Sequence, residues 1–260
     1  MSIKETFPRP EDGHYRWPGL RENRDRDLQA MNCLRVISDS MSACELSNID
    51  YASGSWGYTV LRTTYSDESD RLWPAAMDKL KRWVTEYFVH LNRLITNKLD
   101  GTLNDEVARR FVLEVVETEE HAESLVHIFE IWRHGATGST DFDTRDNPRF
   151  CDFLVIDEDA LRSLAALPGE TPHLGPVSRT DRRARIGSYI DSYVWLVDSR
   201  AVNRYQGVED GDNYEGWMRL CSEDIYYAWF EKAGRSASDH WTFEQREIPE
   251  GSGIKWYQAR

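Results

Sequence analysis

Two kinds of apolar spacing alternate along this chain. Residues 25–46 carry Leu28, Met31, Leu34, Ile37 and Met41 at three- and four-residue steps, a helical stripe. WGYTVLRTTY (56–65) is rich in β-branched and aromatic residues and predicts a first strand. Ser66, followed by Asp67 and Glu68, predicts the start of a helix, because a hydroxyl cap and acids satisfy its positive end. Leu80, Trp83, Val84, Tyr87 and Leu91 carry that helix to about residue 96, with Pro74 expected to kink or restart it. FVLEVV (111–116) predicts strand two. A helix over about 119–134 follows, capped by Thr118, buried through Ala122, Leu125, Phe129 and Trp132, and stopped at Gly135. FCDFLVID (150–157) predicts strand three, with Asp157 capping a helix at 158–166. YIDSYVWLVD (189–198) and GWMRLC (216–221) predict strands four and five, and Ser222 caps a last helix at 223–233.

The order is βα, βα, βα, β, β, α. The strands are amphipathic where a buried parallel sheet asks for continuous apolar runs. The expected class is therefore α+β: a two-layer sandwich with a mixed or mostly antiparallel sheet of about five strands and helices on one face. Three regions follow. Residues 1–54 are an N-terminal extension with a helix, 55–234 the α+β domain, and 235–260 a C-terminal tail packing on it.

Charge removes two function classes. Lys plus Arg is 32 and Asp plus Glu is 45, a net charge of −13. A nucleic-acid partner needs a basic footprint, and an anionic membrane surface repels this chain. No apolar run approaches the roughly 18 residues of a spanning helix, and MSIKETFPRP lacks the apolar stretch of a secretory leader. Cys33, Cys44, Cys151 and Cys221 form no C-x-x-C pair and match no zinc template. Free thiols in strand-like runs fit a reducing compartment, so the expected location is cytoplasmic.

Three stretches taken in order, WGYTVLRTTY with SDESDRLWP, then FLVIDEDAL, then GWMRL with its helix, resemble a large family of uncharacterised α+β proteins of filamentous fungi. The resemblance covers roughly residues 55–233. It implies a fungal source and an α+β domain, and it supplies no activity and no catalytic residues.

Local motifs carry little chemistry. Glu123, His127, Glu130 and His134 share a helix face, but such a face is what an amphipathic helix turns to water. HGATGST (134–140) follows a helix where a phosphate loop must precede one. DFDTRDN (141–147) and EDGDNYEG (209–216) lack the calcium-loop pattern. Arg179, Arg182, Arg183 and Arg185 make a basic loop suited to the chain's own acidic surface. Neither a metal site nor a cofactor motif is read.

Strand alternation gives the remaining candidate. If the strands register together, Trp56, Tyr58, Tyr193, Trp195 and Trp217 share one face with Arg62, Arg219, Asp152 and Asp191. Aromatic walls with a few convergent polar groups suit a small molecule. The same composition suits a protein partner or a second copy in a homodimer, and the terminal segments are a third occupant. The expected function is a small-molecule-binding or protein-interaction domain using this face. The alternative is a cofactor-independent isomerase, cyclase or hydrolase of fungal small-molecule metabolism, with Arg62 or Arg219 holding an anion and Asp152 or Asp191 as base.

Overall fold

A computed structural model describes residues 30, 32–37, 55–93, 102–118, 124–137, 148–170, 192–205, 214–233 and 243–258. Helix α1 covers residues 32–37. Strand β1 (Thr59–Arg62) leads to α2 (Asp67–Arg93) and α3 (Thr102–Arg109), then β2 (Glu114–Glu117) and α4 (Leu125–Thr137). After them come β3 (Asp152–Ile156), α5 (Glu158–Ala165), β4 (Tyr193–Asp198), α6 (Ser199–Tyr205), β5 (Trp217–Cys221) and α7 (Ile225–Ala233). The tail closes with β6 (Gln245–Glu247) and β7 (Lys255–Tyr257).

Caps set most of the helix starts. Ser69 N–H donates to Ser66 Oγ at 3.0 Å, and Asp67, Glu68 and Asp70 fill the first turn of α2. Asp157 is extended and its carboxylate accepts from Ala160 N–H at 2.8 Å, so α5 starts where the sequence places it. Pro74 lies inside an unbroken α2. The helix expected over 119–134 differs. It begins at Leu125, where His127 N–H donates to Ser124 Oγ at 3.2 Å, and it runs through Gly135. Thr118 is no cap: its buried hydroxyl donates to Arg62 C=O at 2.5 Å, pinning β2 to β1.

The strands form one mixed sheet in the order β2-β1-β3-β4-β5-β7-β6. β2, β1 and β3 are mutually parallel, β4 runs antiparallel to both β3 and β5, and β7 is parallel to β5. The α+β class stands, with seven strands in place of about five. The two extra strands come from the tail, where QRE and KWY pair as a hairpin.

Helices lie on both faces, and topology says why. The chain steps from β1 outward to β2, then back across β1 to β3. Two crossovers of one hand in opposite directions must use opposite faces. On the first face, Val60, Leu154, Ile156, Val194, Leu196, Met218 and Leu220 meet apolar residues of α2, α5 and α7. On the second face, α4 sets Val126 and Phe129 on Leu61, Phe153, Val155 and Val197. The helix layer expected on one face is therefore joined by α4 on the other.

Trp56 anchors the first layer. Its indole N–H donates to Val107 C=O at 2.7 Å, and its ring lies 4.6 Å from Phe111 and 5.0 Å from Phe230. It is fully buried.

Candidate functional site

Register places two aspartates face to face on the first side of the sheet. Asp152 opens β3, Asp198 closes the antiparallel β4, and the two are direct cross-strand partners. Like charges so placed repel. Lys232 near the end of α7 resolves this by bonding to Asp152 and lying 3.3 Å from Asp198 Oδ2. Asp198 also accepts from Ala201 N–H at 3.2 Å, capping α6, and from Tyr214 Oη at 3.4 Å. All three charged residues are buried. Asp152 Oδ2 and the Tyr58 hydroxyl are sealed in without a hydrogen-bond partner among the described residues.

Two buried carboxylates thus share one ammonium. Burial pushes Asp152 up to about 7; Lys232 pulls the other way, and Asp198 adds to the rise. Burial works against the charge on Lys232, but Asp152 and Asp198 outweigh it and raise its pKa. The two directions agree on one picture, an ammonium held charged beside Asp152, which burial keeps protonated up to near neutrality. Tyr58 is pushed well above its usual range, first by burial and then by Asp152.

This arrangement has a signed consequence. A folded-state pKa above the unfolded value of 3.8 means that the folded chain holds the proton longer. The contribution to stability is complete below about pH 4 and is lost as pH rises through 7, with a slope of at most about 1.4 kcal/mol per unit. Asp152→Asn removes that slope. Urea unfolding between pH 4.5 and 7.5 is expected to show the variant gaining on the native chain as pH rises. Parallel curves would refute the assignment.

The second face carries a different constellation, built by register alone. Arg219 on β5 pairs across to Trp195 on β4 and to Trp256 on β7, and Tyr193 is the next residue of β4 on that face. Three rings therefore surround one guanidinium. Its carbon lies 4.1 Å from the Tyr193 ring centre, 5.2 Å from Trp195 and 5.6 Å from Trp256. Tyr193 meets both tryptophans edge-on, at 5.7 and 5.8 Å. Cation–π contacts of this kind contribute about 0.5–2 kcal/mol each, more where water is excluded. Arg219 Nε is buried and has no hydrogen-bond partner, and no carboxylate pairs with this arginine among the described residues. Asp157 sits at the edge, where its Oδ2 accepts from the Trp195 indole N–H at 2.8 Å. Burial and then Asp157 raise the Tyr193 pKa.

The residues expected on one face are thereby divided. Tyr193, Trp195, Trp217 and Arg219 share the second face. Trp217 stands beside Arg219 along β5, edge-on to Phe153 at 6.5 Å. Trp56, Tyr58, Arg62 and Asp152 belong to the first face and point into the core under the helices. Arg62 is engaged there: it bonds to Asp70, donates to Thr64 C=O at 2.9 Å and lies 4.7 Å from the Trp73 ring centre. Asp191 lies outside the described residues, as do the arginines at 179–185, the loops 138–147 and 206–213, and His121 and Glu123. Sequence reasoning missed Trp256, because the tail's KWY is too short to announce a strand. It saw Asp157 only as a helix cap. Lys232 gave no signal at all, since one lysine at the end of a helix resembles every other.

His127 and His134 stay on the outer side of α4, where His134 is 4.0 Å from Glu130. Among the described residues, no group of three or more His, Cys, Asp or Glu side chains converges as a metal site. Among the same residues, no helix is long and apolar enough to cross a membrane. Comparison with protein families, curated proteins and solved structures finds no match.

Proposed function

We propose that the protein binds a small molecule on the second sheet face, over Arg219. One observation carries this reading: a guanidinium held among three aromatic rings, with a buried Nε–H and no carboxylate partner among the described residues. The ring stack leaves the terminal guanidinium nitrogens to meet a ligand acceptor, and a charge-assisted hydrogen bond there contributes about 1.5–3 kcal/mol. Aromatic walls around a few polar groups are the usual lining of a ligand site. The enzyme alternative needs Asp152 or Asp191 as a base beside Arg62 or Arg219; Asp152 lies across the sheet from Arg219, Arg62 is bonded to Asp70, and Asp191 lies outside the described residues.

Native mass spectrometry of the full chain from a eukaryotic expression host tests the proposal. The expected spectrum shows a monomer with a reproducible non-covalent adduct that is absent from Arg219→Met. A bare dimer broken by the same substitution would convert this face into a self-association surface and end the ligand reading.

A further inference from the structure

We infer that the ligand at Arg219 is a monocarboxylate on a flat, apolar body; the inference rests on the proposed function above. The guanidinium sets the head group. Its Nε is buried, whereas the side chain as a whole is only partly so, which leaves the terminal nitrogens as its accessible end. A planar fork presented end-on matches two carboxylate oxygens, and ring stacking on its flanks fixes the plane of approach. A primary ammonium in its place supplies a point charge with no such match.

Charge on the same face sets the valence. Asp157 is bonded to Trp195, and its negative charge, with that of Asp159, reaches Tyr193. Arg219 is the cation in contact with these rings; Arg246, opposite Trp256 on β6, stands on the same face but on the far side of Trp256 from Trp195 and Asp157, and the chain as a whole carries −13. A single negative charge is met by Arg219, whereas the second charge of a phosphate monoester faces Asp157 unbalanced. The same shared chemistry, an anionic oxygen pair, is therefore resolved toward carboxylate. The exposed rings set the body. Tyr193 and Trp256 are nearly closed off, but Trp195 and Trp217 are half-buried, the first opposite Arg219 on β4 and the second two residues from it along β5. A flat ring system resting on these two indoles puts a carboxylate against the guanidinium.

Three probes of one shape separate the terms: 2-naphthoate, the neutral 2-naphthamide and 2-naphthyl phosphate. Each is titrated into the full chain by calorimetry. In parallel, the Trp195 indole N–H resonance, assigned with Trp195→Phe, reports binding at this face. The expected result is naphthoate about tenfold to a hundredfold tighter than the amide and tighter than the phosphate, in line with a charge-assisted hydrogen-bond pair. Arg219→Met is expected to reduce naphthoate affinity to that of the amide. Arg219→Lys keeps the charge and is expected to fall between the two. Near-ultraviolet circular dichroism confirms that both variants keep the aromatic packing; if Met disturbs it, the Lys variant alone decides. Equal binding of amide and carboxylate, or preference for phosphate, overturns the monocarboxylate inference. If no probe binds while the Arg219-dependent adduct is present in native spectra, this inference falls and the binding function stands. If neither probe nor adduct is seen, both fall.

Discussion

Replacing Lys232 with Met is expected to destabilise the folded chain by about 3–5 kcal/mol, the range for removing one partner of a buried ion pair. The size follows from what remains. Asp152 and Asp198 are direct cross-strand neighbours in a buried layer, and Lys232 is the ammonium that contacts both. Without it two buried carboxylates face each other, with Arg200 left as the positive charge acting on Asp152. Asp152, freed from the ammonium's downward pull, holds its proton to higher pH, so the loss is expected to be largest in alkaline solution and to shrink toward pH 4. Met retains an apolar stem of similar length, so volume is largely kept, while the ammonium's contact with the Phe243 ring, 5.0 Å from the ring centre, is lost with the charge. Urea unfolding of the single variants and of the Asp152→Asn/Lys232→Met pair measures this. The pair is expected to recover part of the loss, since one carboxylate is gone. A single-variant loss under about 1 kcal/mol would show that the cluster is hydrated and the ammonium dispensable.

Gly57→Ala is expected to cost about 3–5 kcal/mol, for a reason unrelated to charge. Gly57 has φ +122°, a backbone region that side chains rarely adopt, and a Cβ built there lies 2.1 Å from Val112 C=O. That carbonyl cannot move freely. It accepts from Arg149 Nη2 at 3.4 Å, and its residue is held in the bridge where Trp56 N–H donates to Arg110 C=O at 3.0 Å and Val112 N–H donates to Trp56 C=O at 2.8 Å. Accommodating a methyl group means breaking that bridge, at about 1 kcal/mol per bond, on top of about 1–3 kcal/mol of backbone strain. It also shifts Trp56, the fully buried ring against which Phe111 and Phe230 pack. Gly251→Ala is the control. Gly251 has φ +80° but no atom within 4 Å of the built Cβ, so only conformational strain remains. Thermal unfolding of both variants separates the terms. Equal, small shifts would mean that β1 and β2 tolerate local separation.

These two substitutions share a feature: neither residue stood out in the one-dimensional text. What the sequence determined is the local layer of structure. Ser66 and Asp157 mark helix starts because a side-chain oxygen satisfies amides a few residues away, a contact within one turn. The cores of strands one and three to five are legible because β-branched and aromatic residues fit a pleated, buried surface. Their length is less so. β1 spans only Thr59–Arg62, since Gly57 breaks the extended run before it. The start of α4 was misplaced because Thr118 and Ser124 are equally good caps in text, and β1 claims the first.

Which side of each strand faces which layer was decided by tertiary structure. Alternation with a period of two says that Trp56, Tyr58 and Arg62 share one side of their strand, and likewise Tyr193 and Trp195. It does not say that the two sides coincide. Pairing of Val60 with Leu154, and of Leu154 with Leu196, puts the first set under the helices and the second set opposite. Grouping aromatic with aromatic therefore joined residues that the sheet separates. The same register assembled the Asp152–Lys232–Asp198 cluster from positions 80 and 34 residues apart, and closed the Arg219 cage with a tryptophan from the tail. Short-range hydrogen bonding and burial propensity act between near neighbours and are written in order along the chain. Charge pairing and ring contacts across a sheet depend on strand order and register, which exist only once the chain has folded.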